Sequence, residues 1–156
     1  MMRAKLFPAT SLLWLLTALV LLGGPAVRAQ AADMKFRAFL LWGTDDTKPP
    51  AGKDYKPVGP EIQNELKKLP LKWTNWFEVS RKDFPVAKAA TKKVPVSEKC
   101  ELQVTNLGDP NVEVVLIGKS KEVFRRKQPL QKGEILSLAG NAPNASAWLV
   151  VLKRLE

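Results

Sequence analysis

Between Cys100 and Leu155 five short apolar runs alternate with turn-forming residues, and that spacing restricts the chain more than any other feature. The runs are Cys100–Asn106, Val112–Gly118, Lys121–Leu130, Glu134–Gly140 and Ala147–Leu155. In the first, Cys100, Leu102 and Val104 alternate with Glu101, Gln103 and Thr105, which gives one apolar and one wet face at the period of a β-strand. In the second, Val112 and Val114 flank Glu113, and Val115, Leu116 and Ile117 then run on together. A continuous run of this kind predicts a central strand covered on both faces. Gly108-Asp109-Pro110-Asn111, Gly118-Lys119-Ser120, Lys132-Gly133 and Gly140-Asn141-Ala142-Pro143-Asn144 separate the runs. Links this short favour hairpins, because parallel neighbours need crossovers of about a dozen residues. A meander buries its apolar face only against a second sheet or a helix, so the front half must supply the cover.

The front half begins with a segment that is set apart. Arg3 and Lys5 precede an apolar core from Leu12 to Leu22, Gly23-Gly24-Pro25 breaks it, and small residues follow at Val27-Arg28-Ala29 and Ala29-Gln30-Ala31. This is the pattern of a secretory signal peptide over residues 1–31, with cleavage after Ala31 or, as the second choice, after Ala29. An uncleaved anchor is the alternative, since Leu6–Val27 carries no charge and is long enough to span. Removing 1–31 takes Arg3, Lys5 and Arg28 from the 25 basic residues and none of the 15 acids, so residues 32–156 keep a charge of +7. A length near 125 residues suits a single β-rich domain with one modest core.

Met34–Gly43 reads as a strand that starts wet at Lys35 and Arg37 and becomes apolar on both faces at Phe39 and Leu41. Thr44–Pro60 is a long proline-bearing loop. Pro60–Leu69 then reads as a short helix: proline opens it, Glu61 lies early, lysines lie late, and Ile62, Leu66 and Leu69 share a face. It is expected to lie as a lid on one sheet. Leu71–Val79 is an aromatic strand whose Trp73 and Trp76 point to opposite sides. Trp76 packs beneath the helix or the loop on the simplest reading; exposed, it would stack on a sugar or a base. Arg81–Pro95 shows no clear period and is expected to be a connection, with Val94-Pro95-Val96 an edge strand.

The chain has no histidine and one cysteine. Ser-His-Asp and Cys-His catalysis, imidazole metal sites and intramolecular disulfides are therefore excluded. Cys100 is expected to be buried, with an intermolecular bond as the other use. No phosphate loop, dinucleotide fingerprint or calcium loop is present, so no cofactor is expected. Asp45-Asp46, with Asp54 nearby, is the one carboxylate group that suggests hydrolysis. The densest basic clusters are Lys92-Lys93 and Arg125-Arg126-Lys127. They suggest attraction to an anionic polymer, whereas a scattered, solubilising set of charges is the plainer reading. Asn144-Ala145-Ser146 matches a glycosylation sequon, which has meaning only in a eukaryotic host.

The order of elements resembles that of small exported bacterial β-rich proteins of unknown function. The residues that carry the likeness are Leu40-Leu41-Trp42-Gly43-Thr44-Asp45, Leu66 to Leu69, Trp73 to Val79 and Leu130 to Leu152. It covers most of residues 32–156 and implies a fold, not an activity.

The expected fold is mainly β, an antiparallel β-sandwich or open barrel of about seven or eight strands with one short helix. The expected function is a non-catalytic binding or assembly module of the cell envelope, periplasmic or secreted. Its partner is expected to be a protein or an envelope polymer rather than nucleic acid, and the leading segment, if uncleaved, its only membrane contact. The candidate ligand-binding residues are Trp76, Lys92, Lys93, Arg125 and Arg126. A binder of wall polymer, lipid headgroup or nucleic acid through a basic face is one alternative, and a carboxylate-dependent hydrolase another.

Overall fold

The structure, a computed structural model, describes residues 33–141 and 146–156. The segment 1–31 expected to be a signal peptide, the expected turn residues Ala142, Pro143 and Asn144, and with them the start of the sequon, lie outside these. Among the described residues nine strands and one helix follow in order: β1 Met34–Thr44, β2 Lys56–Pro57, α1 Pro60–Leu66, β3 Asn75–Val86, β4 Thr91–Ser97, β5 Cys100–Gly108, β6 Asn111–Gly118, β7 Lys121–Pro129, β8 Ile135–Asn141 and β9 Ala147–Arg154. They form two antiparallel sheets, β2-β3-β1-β9-β8 and β4-β5-β6-β7. The protein is thus mainly β, and the strand beyond the expected eight is the two-residue β2.

β1 lies at the centre of the five-stranded sheet because both its faces are apolar. Phe36, Ala38 and Leu40 face the second sheet and join Phe84, Leu102, Val104, Val112, Val114 and Leu152 in the core between the sheets. Phe39 and Leu41 face the other way and join Ile62, Leu66, Trp76, Leu149 and Val151. The helix is therefore a lid on the outside of the five-stranded sheet, as its apolar stripe predicts. Seven residues of helix are not stable alone in water. Burial of Ile62 and Leu66, about 1.5–3 kcal/mol each, and an ion pair from Lys153 on β9 to Glu61 hold it in place.

Trp76 and Gly43 explain one another. They are Cα partners across β1 and β3, and the indole lies flat against the glycine. A Cβ on Gly43 would fall 2.6 Å from the ring. Trp73 meets Trp76 edge-on at 6.0 Å.

The structure differs from five of the sequence expectations. Arg81–Pro95 is not one connection: β3 continues to Val86 and β4 begins at Thr91. β2 pairs only with Phe77 and Glu78, so the rest of β3 is an edge, where exposed charges and Pro85 are tolerated. The aromatic strand starts at Asn75 rather than Leu71, and α1 stops at Leu66, after which Lys68 and Leu69 close tighter i→i+3 turns. β6 is not covered on both faces; outward, Val115 is buried between its Cα partners Gln103 and Arg125, whose stems shield it. Cys100 is half-buried rather than fully buried, because it sits at the first position of β5, where the sandwich opens.

Candidate functional site

The antiparallel arrangement gives the sandwich two ends, and they differ. At the end holding the β5–β6 turn, buried polar groups tie the sheets together. Arg154 is buried; its Nη1 donates to Asp109 Oδ1 at 2.5 Å and to the carbonyl of Leu130 at 2.9 Å, and its Nε donates to the carbonyl of Glu156 at 3.0 Å. Asn106, 1% exposed, donates from Nδ2 to the Val86 carbonyl and accepts at Oδ1 from the amide of Gly108. The Asp109-Pro110 peptide within this turn is cis.

The opposite end is open. There the core between the sheets meets solvent in a cleft of about 720 Å³. Its floor is aliphatic: Leu40, Val79, Leu138 and Val150 from the five-stranded sheet and Leu116 from the four-stranded one. Its rim carries Lys53, Lys99 and Lys119, with Glu98 as the one carboxylate. No ion pair engages these four groups among the described residues. Tyr55 and Trp148 complete the walls. Trp148 continues a cross-strand row from Phe77 through Trp42. The first two rings are buried 5.9 Å apart, while Trp148 stays 39% exposed.

Two turns bring the lysines together. β5 starts where β6 ends, so the β4–β5 and β6–β7 turns lie side by side, and the amide of Lys119 donates to the carbonyl of Lys99 at 2.9 Å. Lys119 and Ser120 have φ of 48° and 63°, the left-handed pair that a two-residue hairpin turn requires and that Asn-Gly normally fills. Side chains with a Cβ cost about 1–2 kcal/mol per residue in this conformation. Cys100 lines the same cleft, and burial pushes its thiol up from the usual range.

The residues singled out from sequence do not form one site. Trp76 is buried beneath α1, with no face open for stacking. Lys92 and Lys93 lie on one edge strand of the four-stranded sheet and Arg125 and Arg126 on the other. Lys93 and Arg125 do fall in one row across its outer face, through Gln103 and Val115. That face is mixed in sign. The Arg125 guanidinium grips Glu122 at 2.6 Å and 3.0 Å and reaches Glu113 at 3.3 Å, and Lys127 reaches the same Glu113 at 3.6 Å. The hydrogen bond from Arg125 holds the Glu122 carboxyl below its usual range. Lys92 and Arg126 share no row with Lys93 and Arg125 and stay exposed at opposite margins.

Asp45 and Asp46 shape the end of β1. Asp45 Oδ1 accepts from the amide of Thr74 at 3.3 Å, and the amide of Asp46 donates to Thr44 Oγ1 at 3.1 Å. Both carboxylates are exposed and hold the turn that leads out of the strand. Comparison with known proteins gives no match to any protein family, curated protein or solved structure.

Proposed function

We propose that this chain is a non-catalytic binding module of the cell envelope and that its ligand enters the cleft at the open end of the sandwich. The observation that carries this reading is the contrast between the two ends. One is closed by Arg154 and Asn106; at the other, five aliphatic side chains of the core, Val79 half-buried and the rest buried, line a cleft that opens to solvent. Burying such a surface is favourable at about 25 cal/mol per Å², and sites for small ligands combine an apolar floor with a few polar groups. Export through residues 1–31 belongs to the same proposal, and the intact mass of the chain recovered outside the cytoplasm tests it. The lysine-rich outer face is the weaker site, since Glu113 and Glu122 neutralise Arg125 there.

The purified chain incubated with a native envelope extract, washed through a salt series and analysed by native mass spectrometry tests the binding reading. A small molecule retained by the wild type and lost from Val79→Trp, which adds an indole at the half-buried position of the lining and keeps the melting temperature of the wild type, is the expected result. Retention by both proteins equally, or by neither at low salt, refutes it.

A further inference from the structure

We infer that the cleft takes an anionic amphiphile: one apolar chain or ring on the aliphatic floor, with a carboxylate or phosphate head among Lys53, Lys99 and Lys119. This rests on the binding reading above and names its ligand class. Leu40, Val79, Leu116, Leu138 and Val150 carry no polar group, so the part of the ligand that lies on them is hydrocarbon, with Ser97 and Cys100 the small polar side chains of the lining. The rim is cationic, three lysines against Glu98, and lysine is a point charge that meets an anionic head without demanding one planar geometry. These lysines hold no ion pair among the described residues, unlike Arg125, which is engaged by Glu122 and Glu113. Tyr55 and Trp148 line the same cleft, and rings with an apolar body and a polar tip suit the junction between hydrocarbon and water.

The β6–β7 turn supplies an independent observation. Lys119 and Ser120 occupy a conformation that favours Asn-Gly, so this hairpin is less stable than its geometry permits. Stability is commonly sacrificed where a side chain serves binding. Lys119 is the residue that Asn would replace, and it is also the one that the backbone fastens beside Lys99. Replacing the pair with Asn-Gly separates the two roles: the fold gains stability and the cleft loses a cation.

Calorimetric titration of the purified chain with monomeric dodecyl phosphate tests the inference, with inorganic phosphate and dodecyltrimethylammonium as parallel probes. Saturable one-to-one binding of dodecyl phosphate is expected, at least about tenfold tighter than either other probe, the difference expected when one of two binding terms is removed. The surface double variant Lys99→Gln/Lys119→Gln, which leaves the core untouched, weakens it about tenfold, a modest electrostatic contribution from each lysine. Lys119→Asn/Ser120→Gly raises the melting temperature and weakens binding, whereas Lys93→Gln/Arg125→Gln changes neither the affinity nor its salt dependence. Equal binding of the cationic amphiphile overturns the anionic head, and equal binding of inorganic phosphate overturns the hydrocarbon floor. Loss of affinity in the Lys93/Arg125 variant overturns the location. Absence of saturable dodecyl phosphate binding overturns the ligand class. The binding-module reading then survives only if the chain still retains an envelope molecule that Val79→Trp excludes.

Discussion

Arg154→Met removes the fastening of the closed end while keeping most of the side chain's volume. The guanidinium makes three hydrogen bonds, and their surroundings decide the magnitude. The bond to Asp109 contributes little, because the Asp109 side chain is 72% exposed and water replaces its partner. The bond to Leu130 is buried, and losing it strands a carbonyl at a cost of about 1–3 kcal/mol. Losing the third bond adds about 1 kcal/mol. The sum is about 3 kcal/mol, or roughly 10–15 °C in melting temperature for a domain of this size. Asp109→Asn removes only the charge of the exposed partner, since its Oδ1 still accepts, and costs about 1 kcal/mol or less. Urea unfolding followed by circular dichroism reads both variants, and the difference between them is the test. If Arg154→Met falls within about 1 kcal/mol of wild type, or if Asp109→Asn is equally damaging, the buried carbonyl does not carry the effect and the account of this end is wrong.

Gly43→Ala places a methyl 2.6 Å from the Trp76 ring, so it destabilises by about 1–3 kcal/mol through overpacking; a melting temperature equal to wild type contradicts that close approach. Ala89 has φ of 59°, and Ala89→Gly therefore stabilises by roughly 0.5–1 kcal/mol, checked by the urea midpoint. Asp83 is held below the usual carboxyl range by its hydrogen bond from Arg37. Its folded pKa is depressed, so the pair's contribution is complete above the unfolded value of about 3.9 and is lost as pH falls through the folded one. The pair is surface-exposed and worth no more than about 1 kcal/mol; in Asp83→Asn the fall in stability below about pH 4 is shallower, and an unchanged acid limb removes the assignment. Burial raises the Cys100 thiol, so its alkylation near pH 8 runs slower in the folded chain than in urea; equal rates contradict a half-buried thiol.

The back half was legible in the sequence because its physics is local. Alternation at Cys100–Thr105 and turn chemistry at Gly108–Asn111 need no partner to be recognised, and all five runs are strands at nearly the expected bounds. The lid role of α1 was legible too, since Ile62 and Leu66 leave one apolar stripe to bury. β3 was not, because its second half is an edge strand. Lys82, Asp83 and Pro85 are acceptable there only through the absence of a neighbour, which is a tertiary fact. The candidate site was missed for a related reason. Basic clusters adjacent in sequence, Lys92-Lys93 and Arg125-Arg126, are separated by alternation and by sheet order. Lys99 and Lys119, twenty positions apart, are brought together by the meander. A signal existed: each follows a run end in a turn, and consecutive antiparallel strands place such turns on one edge. Val115 misled in the opposite sense, since the stems of polar neighbours cover it rather than a second layer.

The claim that binding belongs to one end of the sandwich is tested most directly by amide chemical shifts of the isotope-labelled chain during titration with dodecyl phosphate. The largest changes are expected in the Ser97–Cys100 and Gly118–Ser120 turns and at Trp148, with Asn106, Leu130 and Arg154 unmoved. Changes centred on the Arg154 end, or spread along the Lys93–Arg125 row, contradict it.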